Sequence, residues 1–142
     1  MANAFYGPFK YKLGAPGTLG SSQGDSVDLL DDTIKVALVD TGTYTFSSAH
    51  EFYSSVSSAV VGTPQTLASK TLSSAGVFDA ADVTFSAVTG SSVEALVLYK
   101  DTGSAATSPL ICYLDSVSAG LPVTPNSGSI GISWDNTGIF VL

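Results

Sequence analysis

The chain has 142 residues, 44% of them hydrophobic and only 12% charged. That length suits one domain, and the composition rules out disorder over most of it. With 22 Ser, 14 Thr and 14 Gly, the polar surface is hydroxyl and backbone rather than ionic, which suits strands and turns. The net charge is −7, with five Lys (10, 12, 35, 70 and 100) and no Arg, so a nucleic-acid partner is not expected and no bidentate clamp for phosphate exists. Cys112 is the single cysteine and sits in an apolar run, where it reads as a small buried hydrophobe.

Met1 to Lys12 lacks the continuous apolar stretch of a signal peptide, and no run reaches the length of a membrane span. The expectation is a soluble protein made in a cytoplasm, with no membrane partner.

Residues 1–30 read as an N-terminal arm. Phe5, Tyr6, Phe9 and Tyr11 crowd its tip, and a Gly/Ser/Pro-rich stem from Gly14 to Gly24 follows. Two readings of the tip stand: it packs on the chain's own sheet, or it binds a partner such as a neighbouring subunit. The second makes Phe5, Tyr6, Phe9 and Tyr11 the candidate partner-binding residues. It also predicts that deleting residues 2–24 leaves a folded domain.

Residues 31–142 read as a single β-domain of short apolar segments separated by turn residues. Strands are predicted at 33–39, 65–72, 77–78, 83–88, 93–99, 110–114, 130–134 and 139–142. One short helix is predicted after Ser48, where Ser48 and Glu51 have capping-box spacing and Phe52 and Val56 fall on one helical face. The fold class is mainly β: a sandwich-like domain of seven or eight short strands with one short helix and the arm.

Three strands run into the same turn, Asp40-Thr41-Gly42, Asp101-Thr102-Gly103 and Asn136-Thr137-Gly138. Asp and Asn can bond the backbone two residues on, and Gly accepts positive φ, so Asp40, Gly42, Asp101, Gly103, Asn136 and Gly138 are predicted as structural turn residues. Asp-Thr-Gly is also the catalytic triplet of aspartic proteases, in which two loops share a proton. Lys100 before the second triplet departs from that pattern, and 61 positions are too few for two fused lobes. A dimeric protease using Asp40 is the alternative from another class.

Asp25, Asp28, Asp31 and Asp32 lack the alternate spacing of a calcium loop, and one His with one Cys cannot furnish a metal site. His50, the lone histidine, reads as a surface or interface residue. No nucleophile elbow, phosphate loop or dinucleotide fingerprint is present. The expectation is an interaction protein, not an enzyme, with no cofactor and no metal.

The runs Met1–Tyr6, Asp32–Asp40, His50-Glu51-Phe52, Gly76–Phe85, Glu94–Gly103, Ser108–Ile111 and Gly120–Asn126 resemble a family of small proteins encoded among the structural genes of tailed bacteriophages. The resemblance covers most of residues 31–142 and the first six, and departs at 7–30. It implies a virion protein, foremost a capsid decoration (cement) protein. Such a protein stabilises the head by binding the major capsid protein and forms homo-oligomers, with a trimer favoured because shells offer threefold sites. A neck, tail or fibre component in contact with the host is the alternative.

Overall fold

The computed structural model describes residues 3–14, 26–116 and 120–142. The molecule is mainly β and sandwich-like. In chain order it contains β1 (Ala4–Phe5), α1 (Gly7–Gly14), β2 (Ile34–Val39), two 3-10 turns (Tyr53–Ser55 and Ser57–Ala59), β3 (Val60–Thr66), β4 (Thr71–Leu72), β5 (Val77–Asp79), β6 (Val83–Phe85), β7 (Ala95–Lys100), β8 (Leu110–Leu114), β9 (Ile130–Ile132) and β10 (Phe140–Val141). A five-stranded antiparallel sheet has the order β1-β8-β7-β2-β3, and β10-β5-β4 and β6-β9 form two smaller sheets.

The central strands β2, β7 and β8 are almost continuously apolar, and nearly every residue in them is buried. An antiparallel sheet with one wet face would alternate instead. Both faces here are covered. Val36 pairs with Leu98 and Leu38 with Leu96, and these side chains enter a core closed by Phe78, Phe85, Ile130 and Ile132. On the opposite face Ala37 pairs with Val97 and Val39 with Ala95, beneath Tyr44, Val56 and Ala59. Segment 40–59 is therefore a second covering layer. Its backbone is anchored by Asp40 N–H to Ala59 O (3.0 Å) and Tyr53 N–H to Ser108 O (2.8 Å).

The helix lies elsewhere than expected. Ser48 and Glu51 do not form a capping box: Ser48 O accepts from Gly7 N–H at 2.7 Å, and Glu51 Oε1 lies 2.9 Å from Lys12 Nζ. The serine pairs that follow support only the two 3-10 turns. The α-helix forms at 7–14, with Pro8 in its first turn and Gly14 at its end, the arrangement that helix termini favour. Phe9 and Leu13, four residues apart, turn toward the core.

The boundary between arm and domain at residue 30 is corrected as well. β1 pairs with β8, Ala4 opposite Tyr113 and Phe5 opposite Cys112, so residues 3–14 are an edge strand and a helix of the domain itself. Val27 and Leu29 are buried in the main core too. The Gly/Ser/Pro stem at 15–25 lies outside the described residues. Among the described residues no helix is long and apolar enough to cross a membrane.

Candidate functional site

Of the four arm aromatics, Tyr6 and Phe9 are 0% and 1% exposed. They are core residues of their own chain and cannot bind a partner in this conformation. Phe5 and Tyr11 are half-buried. The physical cause is the sheet edge: β8 is entirely apolar and needs a partner strand, and the nearest aromatic segment supplies it. The Phe5 ring meets Phe140 edge-on at 5.1 Å and Phe9 at 5.5 Å, joining the N-terminal segment to β10.

Tyr6 also begins a hydrogen-bonded chain. Its hydroxyl lies 3.0 Å from that of Tyr44, which lies 2.8 Å from His50 Nδ1. Burial pushes the Tyr6 phenol far above its ordinary pKa, reinforced by the Tyr44 hydrogen bond, so it stays protonated. His50 is thus tied to the covering layer and half-buried.

The turn residues divide. At the first turn Asp40 Oδ1 accepts Gly42 N–H at 2.7 Å and Oδ2 accepts the Thr43 hydroxyl at 3.0 Å. These bonds, that from Gly42 first, hold the Asp40 carboxyl below the usual range. Gly42 does not have the left-handed φ expected of it. A Cβ there would instead stand 2.9 Å from Asp40 Oδ1, so glycine lets the carboxylate keep its turn bonds. At the second turn Gly103 has φ +87° and donates to Asp101 Oδ1 at 3.0 Å, as expected. Asp101 also pairs with Lys35 at 2.7 Å, the main cause of its lowered pKa. In the third turn the acceptor is not Asn136. Asp135 Oδ1 accepts Thr137 N–H at 2.8 Å and the Thr137 hydroxyl at 2.7 Å, one position earlier than the triplet pattern suggests. Gly138 is left-handed, φ +101°, and a Cβ there would fall 2.4 Å from Val77 Cγ1.

The two Asp-Thr-Gly turns are not neighbours. Val39 pairs with Ala95 and Ile34 with Lys100, so Asp40 and Asp101 follow opposite ends of an antiparallel pair. Asp101 lies level with Thr33, and the seven residue rises of about 3.4 Å from there to Asp40 put the two roughly 24 Å apart. Within one chain they cannot share a proton.

Among the acidic residues before β2, Asp28 Oδ1 accepts Leu30 and Asp31 N–H, and Asp32 pairs with Lys100 at 3.0 Å. Asp25 lies outside the described residues. Among the described residues no group of His, Cys, Asp and Glu is placed to hold a metal ion.

Two surface features were not read from the sequence. The first is an apolar strip beside α1. Leu30 (44% exposed), Leu72 (36%) and Leu142 (49%) stand out on the surface, and Leu13 lines both the hollow that holds Leu30 and Leu72 and the one that holds Phe5 and Leu142. The second is a groove of about 450 Å³ between the β1–β8 edge and the β9–β10 turn, walled by Asn3, Ser116, Ser133, Trp134, Asp135 and Ile139. Both assemble residues distant in sequence, and only the solitary Trp134 offered a signal. No protein-family model and no curated protein matches the chain.

Proposed function

We propose that the chain is a tailed-bacteriophage virion protein, a capsid decoration protein that stabilises the head by binding the major capsid protein as a homo-oligomer, with a trimer favoured. The resemblance of most of residues 31–142 and the first six to proteins encoded among phage structural genes supports the class. The observation that carries the role is the apolar strip of Leu13, Leu30, Leu72 and Leu142. Exposed Leu30, Leu72 and Leu142, gathered about half-buried Leu13, mark a surface for another protein. Charge agrees with an outer position. Lys12, Lys35, Lys70 and Lys100 each contact a carboxylate or carbonyl of the chain itself, so the surface offered outward is acidic and repels nucleic acid.

The partner-binding residues are then the leucines of the strip together with Phe5, in place of Tyr6 and Phe9. The test is a cryo-EM map of the particle, joined to co-sedimentation of the purified protein with heads that lack it. Density on the outer shell is expected, with attachment lost in the doubly substituted Leu30→Ser, Leu72→Ser chain while its circular dichroism is unchanged. Density confined to the neck or tail, or undiminished attachment of the double variant, overturns the reading.

A further inference from the structure

We propose that the groove around Trp134 is a binding site for uncharged saccharide. It shares no lining residue with the apolar strip and does not rest on the capsid reading. Trp134 is the chain's one tryptophan and is held from two directions: its backbone N–H donates to Asp82 Oδ1 at 2.9 Å and its indole Nε1–H to Ala81 O at 3.0 Å. The ring packs partly on the main core and partly lines the groove. It is a fixed aromatic surface that needs no ordering when a ligand arrives.

The facing wall is equally preset. Asn3 Oδ1 accepts Asp115 N–H at 3.0 Å and Ser116 N–H at 2.9 Å, which locks the end of β8 against β1. Ser116, whose hydroxyl donates to Asp115 Oδ1 at 3.2 Å, Ser133, and Asp135, whose Oδ1 is engaged by Thr137, complete the lining. About 450 Å³ lies within the range of small-ligand sites.

These features select a ligand class. Among the described residues a carboxylate and no lysine line the groove, which disfavours phosphate and uronate. The hydroxyl and carboxylate lining disfavours a purely apolar molecule, which could not satisfy it. A pyranose suits both demands, because its C–H face lies on an indole while its equatorial hydroxyls donate to carboxylate and serine oxygens.

The single tryptophan makes the test direct. The full chain is titrated with glucose, galactose, N-acetylglucosamine, the β-1,4-linked disaccharide of each, and galacturonate, reading indole fluorescence and the amide shifts of Asn3, Ser116 and Ser133. The expected result is a saturable blue shift with millimolar half-saturation for at least one neutral sugar, several-fold weaker for galacturonate. The effect should vanish in Ser133→Leu, which fills the groove from an exposed position and leaves the core untouched. Absence of a saturable shift with every neutral sugar overturns the proposal. So does an unchanged titration in folded Ser133→Leu, because the sugar would then be bound elsewhere.

Discussion

The hydroxyl oxygens of Tyr6 and Tyr44 lie 3.0 Å apart inside the protein and join the N-terminal segment to the layer that covers the second face of the five-stranded sheet. Tyr44 in turn meets His50, so Tyr6→Phe removes one hydrogen bond from a chain of two and is expected to cost about 1 kcal/mol. Tyr6→Ala empties a fully buried ring site and is expected to cost about 3–5 kcal/mol. Urea unfolding followed by far-ultraviolet circular dichroism measures both.

Deleting residues 2–24 follows from the same relationship, and the outcome expected is the opposite of the one suggested by the sequence. The deletion strips β1 from β8 and removes Tyr6 and Phe9 from the two cores. Two buried aromatics at about 3–5 kcal/mol each amount to most of a typical stability of about 5–15 kcal/mol. The shortened chain is expected to be unfolded or aggregated at 25 °C. A soluble product with an undiminished urea midpoint would show that residues 3–14 are dispensable to the fold.

Glycine substitutions should separate three distinct reasons for glycine. Gly138→Ala meets both a left-handed φ and a Val77 methyl at 2.4 Å, and should be the most damaging, at about 3 kcal/mol or more. Gly103→Ala meets only the left-handed φ, with open space around it, and should cost about 1 kcal/mol. Gly42→Ala meets neither; it crowds an exposed carboxylate that can swing away at the cost of its turn bonds, again about 1 kcal/mol. Thermal melts of the three variants give the order, and a Gly138→Ala melt as mild as that of Gly103→Ala would contradict it.

The parts of the fold that were legible are those in which local composition and burial agree. β8 was read with its observed bounds, and β2 and β7 within a residue or two, because continuous apolar runs allow little else and Asp-Thr-Gly stops the latter two. β3 was largely missed because Gly62 and Pro64 interrupt it, and such residues are tolerated only at an edge, which is where it lies. β1 has two residues and exists because β8 needs a neighbour. The helix at 7–14 was hidden by its flanking glycines, while the capping-box pattern at 48–51 lost its glutamate to buried Lys12. The Asx turns at Asp40 and Asp101 were readable because they span three residues, whereas the third was misread by one position, its acceptor being Asp135 and not Asn136. The groove at Trp134 was not readable, since Asn3 and Ser116 reach it from opposite parts of the chain.

Cys112 should report on the attachment of β1. It is 1% exposed, lies opposite Phe5, and burial pushes its thiol well above the ordinary range. A disulfide reagent at pH 8 is therefore expected to leave the native protein unlabelled over hours and to label one thiol at once in denaturant. Prompt labelling without denaturant would mean that β1 leaves the sheet edge far more readily than the core opens.

Acid should weaken the fold through its turns. The carboxyls of Asp28, Asp40, Asp101 and Asp135 are all held below the usual range, by hydrogen bonds from Asp31 and Leu30, from Gly42 and Thr43, from Lys35 and Gly103, and from Thr137. A carboxyl with a folded pKa below its unfolded value of about 3.9 binds its proton more readily when unfolded, so its stabilisation is present above that pH and is lost as pH falls through the folded pKa. The stability curve is expected to be flat from about pH 5 to 7 and to fall below about pH 4. Asp40→Asn retains an oxygen that can accept Gly42 N–H, so it should fold with nearly unchanged stability at pH 7 and with a shallower loss below pH 4. Asp101→Asn also gives up the Lys35 ion pair and should be the weaker of the two at pH 7. Urea titrations at half-unit pH intervals distinguish these profiles. An Asp40→Asn chain that folds normally at pH 7 but abolishes a proteolytic maturation step would assign the residue to chemistry rather than to its turn.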